Sequence, residues 1–257
     1  MNYFNPELIK TNESKLLEIE TELKMVLRSI IFCRKTSSRS LLDNFISSTN
    51  NLTELLSIKN AQMEAQNEDE AQLYLKNLKR ATLYVIYEIK KGVNFDSPIQ
   101  LFQLFRLITP ESHQFHPNRF RDKLVQVGSH VCPEPSMVVG LVNNLFEDMK
   151  VISNPIIRAI YFHHELIRIH PFIDGNGRIT RMAKNWMLMF ELYPPIFISD
   201  KIEKRTYVES LSKSFNAISK NENNWNNETN VFFEQELDRL LKSILYIKEN
   251  LNPIKNK

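Results

Sequence analysis

One short stretch gathers side chains able to do chemistry: His170-Pro171-Phe172-Ile173-Asp174-Gly175-Asn176-Gly177-Arg178-Ile179-Thr180-Arg181. The imidazole of His170 titrates near neutral pH and can take up a proton. Asp174 adds one carboxylate, the kind of ligand that holds Mg²⁺ beside phosphates. Gly175, Asn176 and Gly177 predict a tight turn opening a helix, which aims several backbone N–H groups at one point and so makes an anion site. Arg178 and Arg181 are three residues apart and share one face at the start of that helix. Two guanidinium groups beside such an amide nest suit a polyphosphate. Taken singly, each feature has a structural explanation: a histidine at a helix end complements the dipole, and paired arginines often line a solvated face. Together, a base, a metal-holding carboxylate and a phosphate cradle describe phosphoryl or nucleotidyl transfer.

The other histidines carry less. His163-His164-Glu165 suggests zinc, but Arg168 stands where the second histidine of His-Glu-x-x-His belongs. His163 lies one heptad before His170 and is read either as a structural histidine, as buried histidines usually are, or as orienting the loop. His113 and His116 fall in an expected loop and are assigned no role.

The elements that must position this stretch are helical. Only five glycines occur in 257 residues, and two of them are Gly175 and Gly177. Leu16, Ile19, Leu23, Val26, Leu27 and Ile30 recur at helical spacing, and a second helix is expected over residues 40–57. The polar, acidic segment 59–69 reads as a loop and as the boundary of an N-terminal helical appendage. Ala71, Leu75, Leu78, Thr82, Val85 and Ile89 mark a long helix with Gly92 at its C-terminal cap. Ser97-Pro98 and Asn154-Pro155 each combine an N-cap residue with proline in the first turn. Between them, residues 121–127 alternate and end at Gly128, which predicts a short hairpin. Phe232, Leu237, Leu240, Leu241, Ile244 and Ile247 form a last amphipathic helix. The expected class is all-α with one small β-hairpin, divided into an N-terminal helical region (1–68), a core (69–220) and a C-terminal helix (221–257).

Composition narrows the function. With 42% hydrophobic and 25% charged residues and a net charge of +3, the chain has no electrostatic case for a nucleic-acid or membrane partner. Cys33 and Cys132 fit neither a disulfide framework nor a zinc site, as in a reducing cytosol. Residues 1–10 lack the pattern of a secretory leader, and no stretch approaches the roughly 20 apolar residues of a membrane span. The expected location is the cytoplasm, of the producing cell or of a host cell.

The stretch resembles the signature of the Fic family: His, any residue, Phe, any residue, Asp or Glu, Gly, Asn, Gly, Arg, two further residues, Arg. All eight specified positions are filled here. Phe162-His163 and Leu166 before it, and Tyr193-Pro194-Pro195 and Tyr207 after it, look like the family's core helices. Arg121, Val125, Val127, Gly128 and Pro133 resemble its flap region. The resemblance spans about residues 70–215 and implies a helical bundle with a hairpin flap. It also implies a protein adenylyltransferase moving AMP from ATP to a Tyr, Thr or Ser hydroxyl of a target protein. On this resemblance His170 is the general base, Asp174 holds Mg²⁺, and Gly175, Asn176, Gly177, Arg178 and Arg181 bind the nucleotide phosphates. Tyr207 lies near the adenine, and Val125, Gln126 and Val127 form the flap that pairs with the target's backbone. Phe172 anchors the loop in the core. Removal of AMP, transfer of another phosphate-containing group, and a catalytically silent nucleotide-binding module remain the alternatives. Homo-oligomerisation is open.

Many members of the family carry an inhibitory helix with Ser or Thr, three residues, Glu, then Gly or Asn, whose glutamate pairs with the second arginine. Ser14 with Glu18 and Ser199 with Glu203 have this spacing, but Ile19 and Lys204 follow. Asp43 before Asn44, with Arg39 in place of the hydroxyl residue, is the nearest match upstream of the core. Asp43 is read either as a short-reaching inhibitor of Arg181 or as a surface residue.

Overall fold

The computed structural model describes residues 4–33, 40–220 and 225–251. The expected boundary at residue 221 and the position of Arg39 lie outside them. Among the described residues the chain forms ten α-helices and one two-stranded hairpin, in line with an all-α bundle.

Helix α1 (Glu13–Cys33) buries the stripe Leu16, Ile19, Leu23, Val26 and Ile30. Helix α2 (Leu41–Glu64) starts at Ser40, whose hydroxyl accepts from the Asp43 N–H, and runs seven residues past the expected end. Helix α3 (Glu68–Lys90) follows with Asn67 as N-cap. The segment expected as a loop is therefore mostly helix, with only residues 65–67 connecting α2 to α3. Its polar residues have local reasons to be helical. Glu68, Asp69 and Glu70 occupy the first turn of α3, where acidic groups complement the dipole. Asn60 and Ala61 are buried, and the end of α2 is held by contacts distant in sequence, described below. A reading based on local polarity cannot register such contacts.

Helix α4 (Pro98–Ile108) opens with a capping box between Ser97 and Gln100, and α5 (Pro110–Phe115) follows directly. The hairpin pairs β1 (Gln126–Val127) antiparallel with β2 (His130–Val131). Helix α6 (Pro135–Asp148) leads to α7 (Pro155–Ile169), where the Asn154 side chain caps the N–H groups of Ile156 and Ile157. Helices α8 (Asn176–Phe190), α9 (Lys201–Lys220) and α10 (Asn227–Leu251) complete the bundle.

Helices α7 and α8 are buried on almost every face, as expected of helices at the centre of a bundle. Trp186 sits among Tyr84 and Phe95 and donates its indole N–H to the Val93 carbonyl (3.0 Å). The core extends without interruption from Phe4 to Ile247. Phe4 packs near Tyr161 and Trp225, and its carbonyl accepts from the Tyr161 hydroxyl (2.8 Å). The three segments expected from sequence thus share one hydrophobic core.

Candidate active site

The site lies where α7 ends and α8 begins. His170 caps α7: its N–H still donates to Leu166 (2.9 Å), while its backbone adopts φ 53°, ψ 62°. This left-handed conformation is unfavourable for a side-chain-bearing residue and turns the chain out of the helix ahead of Pro171. Arg121 holds the turn in place. Its Nε donates to the His170 carbonyl (2.7 Å), and its Nη2 donates to Pro133 (2.6 Å) and Ile169 (3.3 Å). Its Nη1 donates to Lys123 (2.7 Å), and its backbone N–H donates to the Pro171 carbonyl (2.8 Å). One buried guanidinium thereby ties the histidine loop to the segment carrying the hairpin. The sequence reading placed Arg121 in the flap region but missed this role, because all but one of its partners are main-chain groups far from it in sequence.

Phe172 anchors the loop as expected, stacked on Phe105 at 4.4 Å and edge-on to Phe102. Asn176 closes the loop: its Oδ1 accepts from the Phe172 N–H (2.9 Å) and its Nδ2 donates to the Phe172 carbonyl (2.8 Å). Gly175 has φ 75°, and a Cβ there would lie 2.4 Å from Thr109 Cγ2. Gly177 is already helical; a Cβ on it would stand 3.2 Å from Arg181 Nη1, so the missing side chain leaves room for that guanidinium. Helix α8 therefore begins two residues earlier than the expected Arg178, with Gly175 as its left-handed N-cap.

A cavity of about 240 Å³ opens over this junction, lined by Val127, His170, Gly177, Arg181 and Tyr207, with Glu64 and Lys204 at its side. His170 is pushed down to about 4 because burial disfavours its charged form, which outweighs the backbone of Ile167. It is therefore neutral at physiological pH and free to accept a proton.

Arg181 is buried and its Nη2 donates to Glu64 Oε1 at 2.7 Å. The Tyr207 hydroxyl interacts electrostatically with Arg181 and shares a 2.8 Å hydrogen bond with His163 Nε2. Arg181 Nε is buried with no hydrogen-bond partner among the described residues. Burial works against the charge of Glu64, but Arg181 and Lys204 overcome it and hold the carboxyl below its ordinary range. Tyr207 thus lines the cavity beside Arg181. His163 is a buried structural histidine that holds Tyr207 rather than the loop, because it lies on the flank of α7 that faces α9.

Asp43 does not reach Arg181. It forms a 2.8 Å ion pair with Lys90, both side chains substantially exposed, and Glu64 takes the position expected of it. The signal was present in a relaxed form: Asn60, three residues, Glu64, Ala65 has the inhibitory spacing, with Asn for Ser or Thr and Ala for Gly or Asn. Reading 59–69 as a loop hid it.

Arg178 and Asp174 pair with each other at 3.2 Å beside the cavity rather than within its lining. The Arg178 guanidinium lies 3.7 Å from the Tyr74 ring centre, a cation–π contact. Tyr74 donates its hydroxyl to Glu70 (2.5 Å) and is pushed up to about 12, first by burial and then by that carboxylate. Asp174 is half-exposed and has Ser112 Oγ at 3.5 Å. Among the described residues no group of three or more acidic, His or Cys side chains is placed to hold a metal. One accessible carboxylate beside an anion cradle fits Mg²⁺, which commonly takes one or two carboxylates and completes its shell with water and substrate phosphates.

The hairpin lies over the same cavity, with Val127 and Gly128 in its wall. Gln126 is exposed and the Val125 carbonyl accepts from Cys132 N–H (3.1 Å). Among the described residues β1 pairs with β2 alone. His130 secures β2 to α7 through a 3.0 Å contact of its Nε2 with the Arg168 carbonyl.

A helical bundle with a glycine turn between its two central helices, a histidine in the adjoining cavity and a small ribbon above it makes up the candidate site. Residues 97–188 match the family model described as Fic/DOC. A protein adenylyltransferase Fic from Drosophila persimilis is 33% identical over 111 residues, covering 42% of this chain and 22% of that protein. The match thus spans about a fifth of the curated relative. A Fic domain-containing signaling protein from Bacteroides thetaiotaomicron has the same fold (TM-score 0.64, 17% identity, 92% of this chain and 97% of that one). So does IbpAFic2, solved covalently tethered to Cdc42 (TM-score 0.54, 15% identity, 88% and 70%).

Proposed function

We propose that the protein transfers AMP from ATP to a hydroxyl group of another protein, with His170 as general base. The observation that carries this reading is the neutral His170 ring in one cavity with Gly177 and Arg181, at the N-terminus of a buried helix. The adenylyltransferase activity for which the Drosophila relative is named, and the Cdc42 tethered to IbpAFic2, support it.

In this reading the target's Tyr, Thr or Ser hydroxyl gives its proton to His170 as its oxygen attacks the α-phosphorus of ATP. The bond from that phosphorus to the bridging oxygen breaks and pyrophosphate leaves. Amides at the start of α8 and the guanidinium groups of Arg178 and Arg181 hold the phosphates, both arginines leaving their present acidic partners to do so. Tyr207 stands beside Arg181 in the cavity wall, and Asn176 acts by closing the loop. Asp174 would hold Mg²⁺, which lessens charge repulsion among the phosphates when bound. Val125, Gln126 and Val127 would pair with the target's backbone as an added strand, reading main chain more than side chain. Glu64 holds Arg181 in the resting state and restrains transfer, the role first considered for Asp43. No described helix is long and apolar enough to cross a membrane, and the reading places the reaction in the cytoplasm of the producing or a host cell.

The test is transfer of label from α-³²P-ATP in a lysate, comparing Glu64→Ala with Glu64→Ala/His170→Ala. A labelled protein band with the first and none with the second is expected. Equal labelling by both would remove His170 from the mechanism.

A further inference from the structure

Lys204 has no counterpart in the signature around His170, yet it stands at the cavity. From α9 its Nζ donates to the Met63 carbonyl (2.5 Å) and lies 3.8 Å from Glu64 Oε1. The same carboxylate oxygen receives Arg181 Nη2 at 2.7 Å. One anionic oxygen thus faces two cations from different helices, on the wall that also carries His170 and Gly177. Arg181 keeps a buried Nε without a partner among the described residues, so Glu64 leaves part of this cationic site unsatisfied. A carboxylate oxygen shared by a guanidinium and an ammonium occupies the place of a larger anion with more acceptors.

We propose that Lys204 and Arg181 form a two-cation seat for the terminal phosphate of the nucleotide, so that Lys204 selects a triphosphate over shorter nucleotides. In the resting state Lys204 turns the same charge on the end of α2, where a cation suits the last carbonyls and the dipole. Glu64 and the terminal phosphate then compete for both cations, and departure of α2 frees Lys204 for the ligand. The inference rests on the adenylyl-transfer reading and adds the residue that counts phosphates.

The test is calorimetric titration of ATP, ADP and AMP with magnesium chloride into Glu64→Ala, Glu64→Ala/Lys204→Met and Glu64→Ala/Lys204→Arg. Thermal melts check that all three proteins fold; Lys204 is part-exposed, and methionine keeps its unbranched stem. Loss of one charge-assisted contact should weaken ATP binding about tenfold in the Lys204→Met protein. AMP binding should be unchanged and the arginine variant should recover most of the ATP affinity. Equal ATP affinity with and without the Lys204 charge, or equal losses for ATP and AMP, would overturn the seat while leaving adenylyl transfer standing. A folded Glu64→Ala protein that binds no adenine nucleotide would overturn the transfer reading, and the seat with it.

Discussion

Helix α8 carries basic side chains on two stretches that differ in how they are neutralised. Lys184 is paired with Glu236 of α10, both side chains at most 2% exposed, and Arg239 donates to the same Glu236 and to Glu203. Three helices are thereby joined, and the Lys184–Glu236 pair at the centre is closed to water. One turn earlier, Arg181 is equally buried, but its partner Glu64 is 28% exposed and sits on the last residue of α2 beside an open cavity. The first arrangement is committed to the fold because no other anion can enter. The second is exchangeable, because the cavity can admit water or a phosphate in place of the carboxylate. Burial of a charge therefore says little about its role until the accessibility of its partner is known.

The largest effect should come from the committed pair. Glu236→Ala strands Lys184 in the core and should cost about 3–5 kcal/mol in chemical denaturation, as breaking a buried pair does. Glu64→Ala should cost less than about 1 kcal/mol, since water enters the cavity to solvate Arg181. It should also raise the transfer rate about tenfold or more, equivalent to about 1.4 kcal/mol in the barrier, and increase the melting-temperature shift produced by ATP. Equal destabilisation by the two substitutions would break the comparison.

Acid should separate the sites next. Glu236 is held down at about 2, where burial raises its pKa but Lys184 and Arg239 prevail, so its stabilisation is full above the ordinary carboxylate range and is lost progressively as pH falls from there through about 2. His170 is also depressed, to about 4 against an ordinary value near 6.5. A depressed histidine contributes stability that is complete above about pH 6.5 and lost as pH falls toward 4. Transfer should therefore hold nearly level from pH 8 to about 5 and decline below it, whereas a base titrating near 6.5 would lose most of its rate by pH 5.

Smaller effects concern the side of the cradle facing α3. Tyr74→Leu removes the ring under Arg178 and should cost about 0.5–1 kcal/mol of stability while loosening Arg178 for phosphate, read as tighter ATP binding in the Glu64→Ala protein. Asp43→Ala should change neither transfer nor ATP affinity and should shift stability by less than about 1 kcal/mol, as its pair with Lys90 is exposed. A rate increase there would return Asp43 to the regulatory role first considered for it.

The groups from His170 to Arg181 were legible in sequence because the chemistry, the glycine spacing and the helix ends lie within one stretch, where a local reading sees all of them. The helices with clear apolar stripes and caps, such as α1, α4, α7 and α10, were legible for the same reason. What only the tertiary structure decided involves partners distant in the chain. Glu64 meets Arg181 across 117 positions, Arg121 reaches main-chain carbonyls near His170, and His163 finds Tyr207 across 44 positions. The end of α2 illustrates the limit: its residues are too polar for periodicity to mark a helix, and the contacts that stabilise it come from α8 and α9. A sequence specifies which groups are available; which anion answers each buried cation is settled only when the helices pack and exclude water around the pair.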